Sequence, residues 1–301
     1  MDLIPLIDGY LSKEIGVRLK KMPKAVLDCA EEIRIRRGQA VCVRCGRDEF
    51  CPDKAYLPSA ADIEITVSKM SEYSVYAFNE EIKRGYLTLP GGYRVGICGS
   101  VVYNDSGGIS TIKNISSLNI RISREVKGCA DKIMPLLYKN GRFLNTLIIS
   151  PPACGKTTLL RDIIRQVSSG GLCVGVADER SEIAGTYMGQ AANDLGSRTD
   201  ILDGIYKEDG MYMLLRSMGV QVIAADEIGS AGELECIRHI VNSGVSLLCS
   251  VHAESLDELK RRNGFDLLVA DKLFKRYIIL STMPSAGSIS GIYDEEMKPC
   301  L

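Results

Sequence analysis

The sequence predicts an α/β protein with a parallel sheet covered by helices on both faces, preceded by a smaller α+β domain. Three observations lead there. After about residue 145, near-continuous apolar strands alternate with helical stretches, the pattern of a parallel sheet buried on both faces. Before it, the segments are short, alternate in polarity and are punctuated by glycine. Finally, Ser150–Thr158 (SPPACGKTT) falls between the first buried strand and a helix. The pattern changes near residues 128–144, so the 301 residues are expected to form two domains, 1–130 and 131–301.

In the first domain, helices are expected near Leu6–Met22 and Ser68–Arg84. Glu32–Arg36 (EIRIR) alternates charged and apolar residues and reads as a half-buried strand, as does Asn119–Ile122. Tyr86–Leu89, Pro90–Gly92 and Tyr93–Ile97 read as strand, turn and strand. In the second domain, Thr146–Ile149 is a strand and Lys156–Val167 a helix stopped by Gly170-Gly171. Leu172–Ala177, Val220–Ala225 and Val245–Val251 are further strands. Ala231–Asn242 and Ser255–Ala270 are helices, and Tyr277–Leu280 with Ser288–Tyr293 forms a late hairpin.

Composition narrows the function classes. Lys and Arg total 37 against 38 Asp and Glu, and aromatics are only 6% with no Trp. A basic track with stacking rings is therefore not evident, and direct nucleic-acid binding is not expected. No apolar run reaches the roughly 18–20 residues of a membrane-spanning helix. The N-terminus lacks the basic-then-apolar pattern of a secretion signal, so a cytoplasmic chain is expected. The 11 cysteines are expected to be reduced and to fill the core. Cys42, Cys45 and Cys51 include a CxxC, but a zinc site needs four ligands. No second pair follows, and His239 and His252 lie far along the chain.

The strongest chemical signal is the Ser150–Thr158 segment. A loop that opens a helix can point backbone N–H groups at phosphate, where the helix dipole favours anions. Ser150, Pro151, Pro152, Ala153, Cys154, Gly155, Lys156, Thr157 and Thr158 are therefore read as a nucleotide-binding loop. Lys156 would reach the β- and γ-phosphates of ATP, and the Thr157 hydroxyl would ligate Mg2+. Ser150 stands where such loops usually begin with glycine. Val222–Ala225 followed by Asp226-Glu227 has the form of a Walker B strand: Asp226 would hold Mg2+ and Glu227 could polarise the attacking water. Glu179 and Glu182 follow another predicted strand, and His252 ends one more. Nucleotide sites of open α/β sheets lie at the carboxyl ends of the strands. Lys156, Glu179, Glu182, Asp226, Glu227 and His252 are therefore expected on one edge, with His252 as a γ-phosphate sensor.

The residues now in view resemble the stage III sporulation protein AA family, whose ATPase domain is similar to type II and type IV pilus secretion ATPases. The resemblance covers nearly the whole chain. It is carried by Glu32–Arg36, Tyr86–Gly96, Ser117–Ile122, the phosphate loop, Asp178–Glu182 (DERSE), Arg198-Thr199-Asp200, Arg216, Ala225–Ile228 and His252. Similar P-loop proteins of chloroplasts and cyanobacteria share part of it. The resemblance implies a P-loop NTPase domain of the RecA/AAA+ kind and ATP hydrolysis dependent on Mg2+. It makes Asp178–Glu182 an "Asp box" in which Glu182 activates water, and His252 a "His box" histidine. It leaves open whether Glu182 or Glu227 is the base. Arginines that stabilise charge on the γ-phosphate are expected among Arg94, Arg198, Arg121 and Arg216, one of them from a neighbouring subunit.

By the same resemblance the chain forms a hexameric ring on the mother-cell side of a trans-envelope channel. There it contacts membrane proteins of the sporulation channel and is peripherally attached, with no span of its own. Two alternatives stand beside this motor. One is a nucleotide-binding scaffold with little turnover, which the Ser150 departure favours. The other is a single-strand nucleic-acid-binding ATPase, which the charge balance opposes.

Overall fold

Two large sheets organise the described residues, one in each of two units. The computed structural model describes residues 3–72, 78–122, 125–152, 154–282 and 287–300. The first unit comprises Met1–Arg124 with Gly185–Ala192, the second Glu125–Ala184 with Asn193–Leu301.

The first unit opens with helices α1 (Ile4–Tyr10), α2 (Lys13–Lys20) and α3 (Lys24–Cys29). The single helix expected over Leu6–Met22 is broken. Leu11 is extended, and Ser12 restarts the chain by accepting the Ile15 N–H at 3.4 Å on its side-chain oxygen. Strands β1 (Glu32–Arg36), β2 (Gln39–Cys45) and β3 (Asp48–Phe50) follow, then helices α4 (Ala60–Met70) and α5 (Asn79–Lys83). Strands β4 (Tyr86–Leu89), β5 (Tyr93–Tyr103) and β6 (Ile109–Arg121) complete an antiparallel sheet in the order β3-β2-β1-β6-β5-β4. The second expected helix, Ser68–Arg84, is not one helix. A Ser59–Asp62 capping box starts α4 well before Ser68, and α4 stops at Met70. Residues 73–77 of that expectation lie outside the described residues. Ile33, Ile35, Val43, Val95, Ile97 and Ile120 pack with Leu6, Ile15, Leu19 and Ile63 in one core.

Cys29 and Cys45 form a disulfide, which corrects the expectation of uniformly reduced thiols. Their Cα atoms come within 5.3 Å because α3 and β2 end side by side, a long-range meeting that local pattern cannot reveal. Cys45 is thereby taken out of the CxxC, while the Cys42 and Cys51 sulfurs lie 3.4 Å apart.

In the second unit a short 3-10 turn (Met134–Leu137) and strands β7 (Tyr138–Lys139) and β8 (Arg142–Phe143) lead into β9 (Thr146–Ser150) and α6 (Lys156–Ser169). Then come β10 (Val174–Asp178), β11 (Thr199–Asp203), α7 (Lys207–Ser217), β12 (Val222–Ala225), α8 (Ala231–Asn242) and β13 (Ser246–His252). The unit closes with α9 (Leu256–Arg261), α10 (Phe265–Ala270), β14 (Arg276–Ser281) and β15 (Ser288–Asp294). The sheet order is β11-β10-β12-β13-β9-β14-β15, parallel except for β15, which pairs antiparallel with β14. The predicted parallel sheet and its late hairpin are both present. Strand β11 and helix α7 were not expected: β11 is an edge strand with an aspartate at two of its five positions, so it shows no apolar run. The helix expected over Ser255–Ala270 is divided at Arg262, which is extended, and Gly264, whose φ of 86° few side chains tolerate.

Alternate residues of the parallel strands serve opposite faces. Ile148, Val174, Val176, Val222 and Leu248 pack on α6 through Leu159, Leu160, Ile163, Ile164 and Val167. Each such buried side chain stabilises the fold by roughly 1.5–3 kcal/mol. Leu147, Ile149, Ile223, Leu247 and Cys249 face Met211 and Leu214 of α7 and Ile237 and Ile240 of α8. Among the described residues, no helix is long and apolar enough to cross a membrane.

Candidate active site

Strand register decides which residues meet. Ser150 pairs with His252, and Ala225, just before Asp226, pairs with Ala177, just before Asp178. The loops after β9, β10, β12 and β13 therefore leave the same edge, at the carboxyl ends of the strands. Gly155 sits at φ 78° and turns the chain into α6, whose first residue is Lys156. Ser150 is buried and has no positive φ; its hydroxyl donates to the Pro151 carbonyl at 2.9 Å. Its own carbonyl accepts from Ala253 N–H. Nothing in that geometry requires the usual glycine. Cys154 is buried in the core beneath the loop, and Thr158 is half-buried on α6. Pro151 and Pro152 line an open groove with His252, Arg261 and Arg262. Ala153 lies outside the described residues.

Lys156 is buried, and its ammonium donates to Glu227 Oε1 at 3.1 Å. It lies 3.3 Å from His252 Nε2 and 3.8 Å from Asp226 Oδ1. His252 Nε2 also contacts Glu227 Oε1 at 2.7 Å. The Thr157 hydroxyl donates to Asp226 Oδ2 at 3.0 Å, and the Ser250 hydroxyl donates to Asp226 Oδ1. Ser250 Oγ in turn accepts the Glu227 N–H at 3.0 Å. Burial pushes the Glu227 carboxyl up, but the Lys156 charge and the bonds from Lys156 and His252 outweigh it and leave it below its usual range. Glu227 has a left-handed backbone, φ 50°, which is uncommon for a non-glycine residue.

The DERSE segment folds around Asp178. Its buried carboxylate accepts the N–H groups of Glu182, Ile183 and Ala184 at 2.8–3.0 Å, yet burial pushes its pKa up to about 6. Arg161 of α6 fixes the same loop by donating to the carbonyls of Ile183 at 2.9 Å and Glu182 at 2.5 Å. A small pocket is lined by Glu179, Arg180, Glu182, Lys207, Asp226 and Glu227, among others. Carboxylate oxygens of Glu182, Asp226 and Glu227 all lie within 4.8 Å of one another. With the Thr157 hydroxyl on Asp226, this is an all-oxygen donor set of the kind Mg2+ takes. The Gly155 turn into α6 and the adjacent Lys156 fit a nucleotide phosphate chain.

The expected Lys156, Thr157, Glu179, Glu182, Asp226, Glu227 and His252 are thus gathered at one edge. Within the second unit, Arg198 and Arg216 are placed apart from it. Arg198 is exposed at the amino end of β11, where its backbone bonds to Val174 and Ser168, so it stands at the opposite edge of the sheet. Arg216 ends α7 with its guanidinium 5.5 Å over Tyr212. Arg94 belongs to the first unit, where it lies 4.3 Å over Tyr86, and Arg121 pairs with it across β5 and β6.

Sequence reasoning missed Lys207 and Ser250. Lys207 is 3.1 Å from Glu179 Oε2, 3.2 Å from Glu233 Oε1 and 3.1 Å from the Glu227 carbonyl. Burial lowers its affinity for the proton, but Glu233 and Glu179 more than restore it and hold the ammonium above its ordinary value. Ser250 lies two residues before His252, on the face that alternation assigns to the core, and only this signal could have raised it.

Known proteins resemble this chain in sequence and in fold. The family described as "Sporulation stage III, protein AA" matches residues 8–299. Stage III sporulation protein AA of Bacillus subtilis (strain 168) is 40% identical over 296 residues, 96% of this chain and 95% of that protein. Among solved structures, the pilus retraction motor PilT with bound ADP superposes with a TM-score of 0.61 at 14% identity, covering 97% of this chain and 82% of PilT. The Legionella pneumophila ATPase DotB gives 0.58 at 13%, covering 87% and 75%. At such identities the likeness is one of fold.

Proposed function

This chain belongs to the sporulation stage III, protein AA family, and from that premise we propose that it is an ATPase, dependent on Mg2+ and on assembly, that energises a secretion-like channel during endospore formation. The observation that carries the reading is the convergence of Lys156, Thr157, Asp226, Glu182, Glu227 and His252 on one sheet edge in a fold shared with the ATPase DotB and the pilus retraction motor PilT.

In this reading the backbone amides of the loop and Lys156 bind the phosphates of ATP. Thr157 and Asp226 would hold Mg2+, which when bound neutralises charge on the phosphates. Glu182 takes the proton from the water that attacks the γ-phosphorus, and ADP and inorganic phosphate leave. The reason to prefer Glu182 over Glu227 is that Lys156 and His252 already hold the Glu227 carboxylate down, which makes it a poor proton acceptor. Glu227 instead orients Lys156 and His252. An arginine stabilising the γ-phosphate would come from a neighbouring subunit in a hexameric ring, and exposed Arg198 is the candidate. The ring would sit on the mother-cell side of the envelope, held there by membrane proteins of the channel.

The test is phosphate release from ATP over a range of protein concentrations. Turnover per subunit should rise with concentration and vanish in Lys156→Ala. In Glu182→Gln it should fall about 10²–10⁴-fold while ATP still binds. ATP binding without turnover in the assembled wild type would support the scaffold reading instead.

A further inference from the structure

The left-handed backbone of Glu227 needs something to hold it, and two groups do so. Its N–H is taken by Ser250. Its carbonyl is taken by Lys207, the first residue of α7. The Lys207 ammonium also reaches Glu233, whose other carboxylate oxygen accepts the N–H groups of Gly229 at 2.7 Å and Ser230 at 2.8 Å. Lys207 therefore grips the chain at Glu227 directly and, through Glu233, two residues beyond it. Its third partner is Glu179, at the start of the loop that carries Glu182. Three donors meet three acceptors, with the side chain about 10% exposed.

We propose that Lys207 is a positioning residue of this site: it fixes the peptide of Glu227 and the Glu179–Glu182 loop relative to each other, so that both catalytic-edge carboxylates stand ready when ATP binds. The inference rests on the ATPase reading and deepens it. Lys207 acts through Glu227 and Glu179, so its loss should disturb the chemical step more than nucleotide binding, which belongs to the loop and Lys156. A displacement of the order of 1 Å at a reacting group costs about 10²-fold in rate.

The experiment measures steady-state phosphate release by the full chain as wild type, Lys207→Met, Lys207→Arg and Lys156→Ala. Each is paired with binding of a fluorescent ADP analogue and a thermal melt. Lys207→Met should lower kcat about 10–100-fold with KM and ADP affinity within about threefold of wild type. Lys207→Arg, which keeps the charge and several donors, should recover most of the rate. If Lys207→Met does not fold, Lys207→Gln, which keeps one donor, carries the same expectation. Unchanged kcat per folded chain overturns the assignment, even with a lower melting temperature, because that is the signature of a purely structural cation. So does a rise in KM alone, or an arginine variant no better than methionine. A wild type without turnover, or a Lys156→Ala that turns over normally, overturns the ATPase reading and this assignment with it. Loss in Lys156→Ala beside normal Lys207→Met overturns this assignment alone.

Discussion

Glu32 in the first unit and Glu227 in the second each draw cationic side chains to one carboxylate, and they differ in backbone and in neighbouring charge. Glu32 is buried in the extended strand β1, with Arg34 and Arg44 each at 2.9 Å. Burial pushes its carboxyl up, while bonds from Arg34 and Asn119 and the charge of Arg44 bring it below its usual range. Two guanidiniums serve one carboxylate there, on backbone any residue adopts. Glu227 draws Lys156, His252 and, at 3.6 Å, Arg180, but it sits on left-handed backbone and beside two more carboxylates within 4.8 Å. Ion pairing alone therefore does not mark a site. Backbone strain, crowded like charges and a pocket together do, because each is unfavourable for folding and is retained for another reason.

The sharpest way to break this comparison is to neutralise both carboxylates. Glu227→Gln should cut phosphate release about 10²-fold or more, since it removes the charge that orients Lys156 and His252. Glu32→Gln should leave turnover per folded chain unchanged. It should cost about 1–2 kcal/mol in urea denaturation, because the half-exposed Arg34 and Arg44 regain water. A loss of turnover in Glu32→Gln, at normal stability, would show that the first unit takes part in the chemistry.

The two regions were also unequally legible in the sequence. The phosphate loop is contiguous, so Gly155, Lys156 and Thr157 could be read directly. Asp226 and His252 could be placed because each ends an apolar strand whose direction the fold class fixes. Lys207 could not, since it precedes the apolar residues of α7 and its partners come from three separate stretches of chain, the loops after β10 and β12 and the first turn of α8. The helix breaks at Ser12 and Gly264 turn on single residues within otherwise periodic stretches. The Cys29–Cys45 disulfide depends on two elements meeting across the chain. Periodicity gave the sheet, and tertiary placement decided which polar groups meet at its edge.

Asp178 and Glu227 offer a second contrast, in pH dependence. The Asp178 carboxyl is pushed by burial from 3.8 to about 6. The folded state then binds the proton more tightly than the unfolded chain. The contribution to stability is complete below about pH 4 and is lost as pH rises through 6. Two pKa units correspond to about 3 kcal/mol. Glu227, held below its ordinary 4.5, has the opposite sign: its contribution is present above 4.5 and lost as pH falls through its folded pKa. Urea denaturation between pH 4 and 7 should show wild-type stability declining more steeply with rising pH than that of Asp178→Asn. Parallel curves would mean that the three amides of Glu182, Ile183 and Ala184 outweigh burial and keep Asp178 ionised throughout.

The smallest expected effect concerns the one departure from the usual phosphate loop. Ser150 ends a buried strand with ordinary backbone, paired with His252, and its hydroxyl is satisfied by the Pro151 carbonyl. A glycine there would gain nothing from left-handed freedom and would lose conformational restraint in the unfolded chain. Ser150→Gly should therefore destabilise by about 0.5–1 kcal/mol and leave phosphate release within about twofold. If instead turnover rises tenfold, the serine restrains the loop that Lys156 must share with the phosphates. The difference between the quiet carboxylate of β1 and the strained one after β12 would then be a matter of regulation as much as of chemistry.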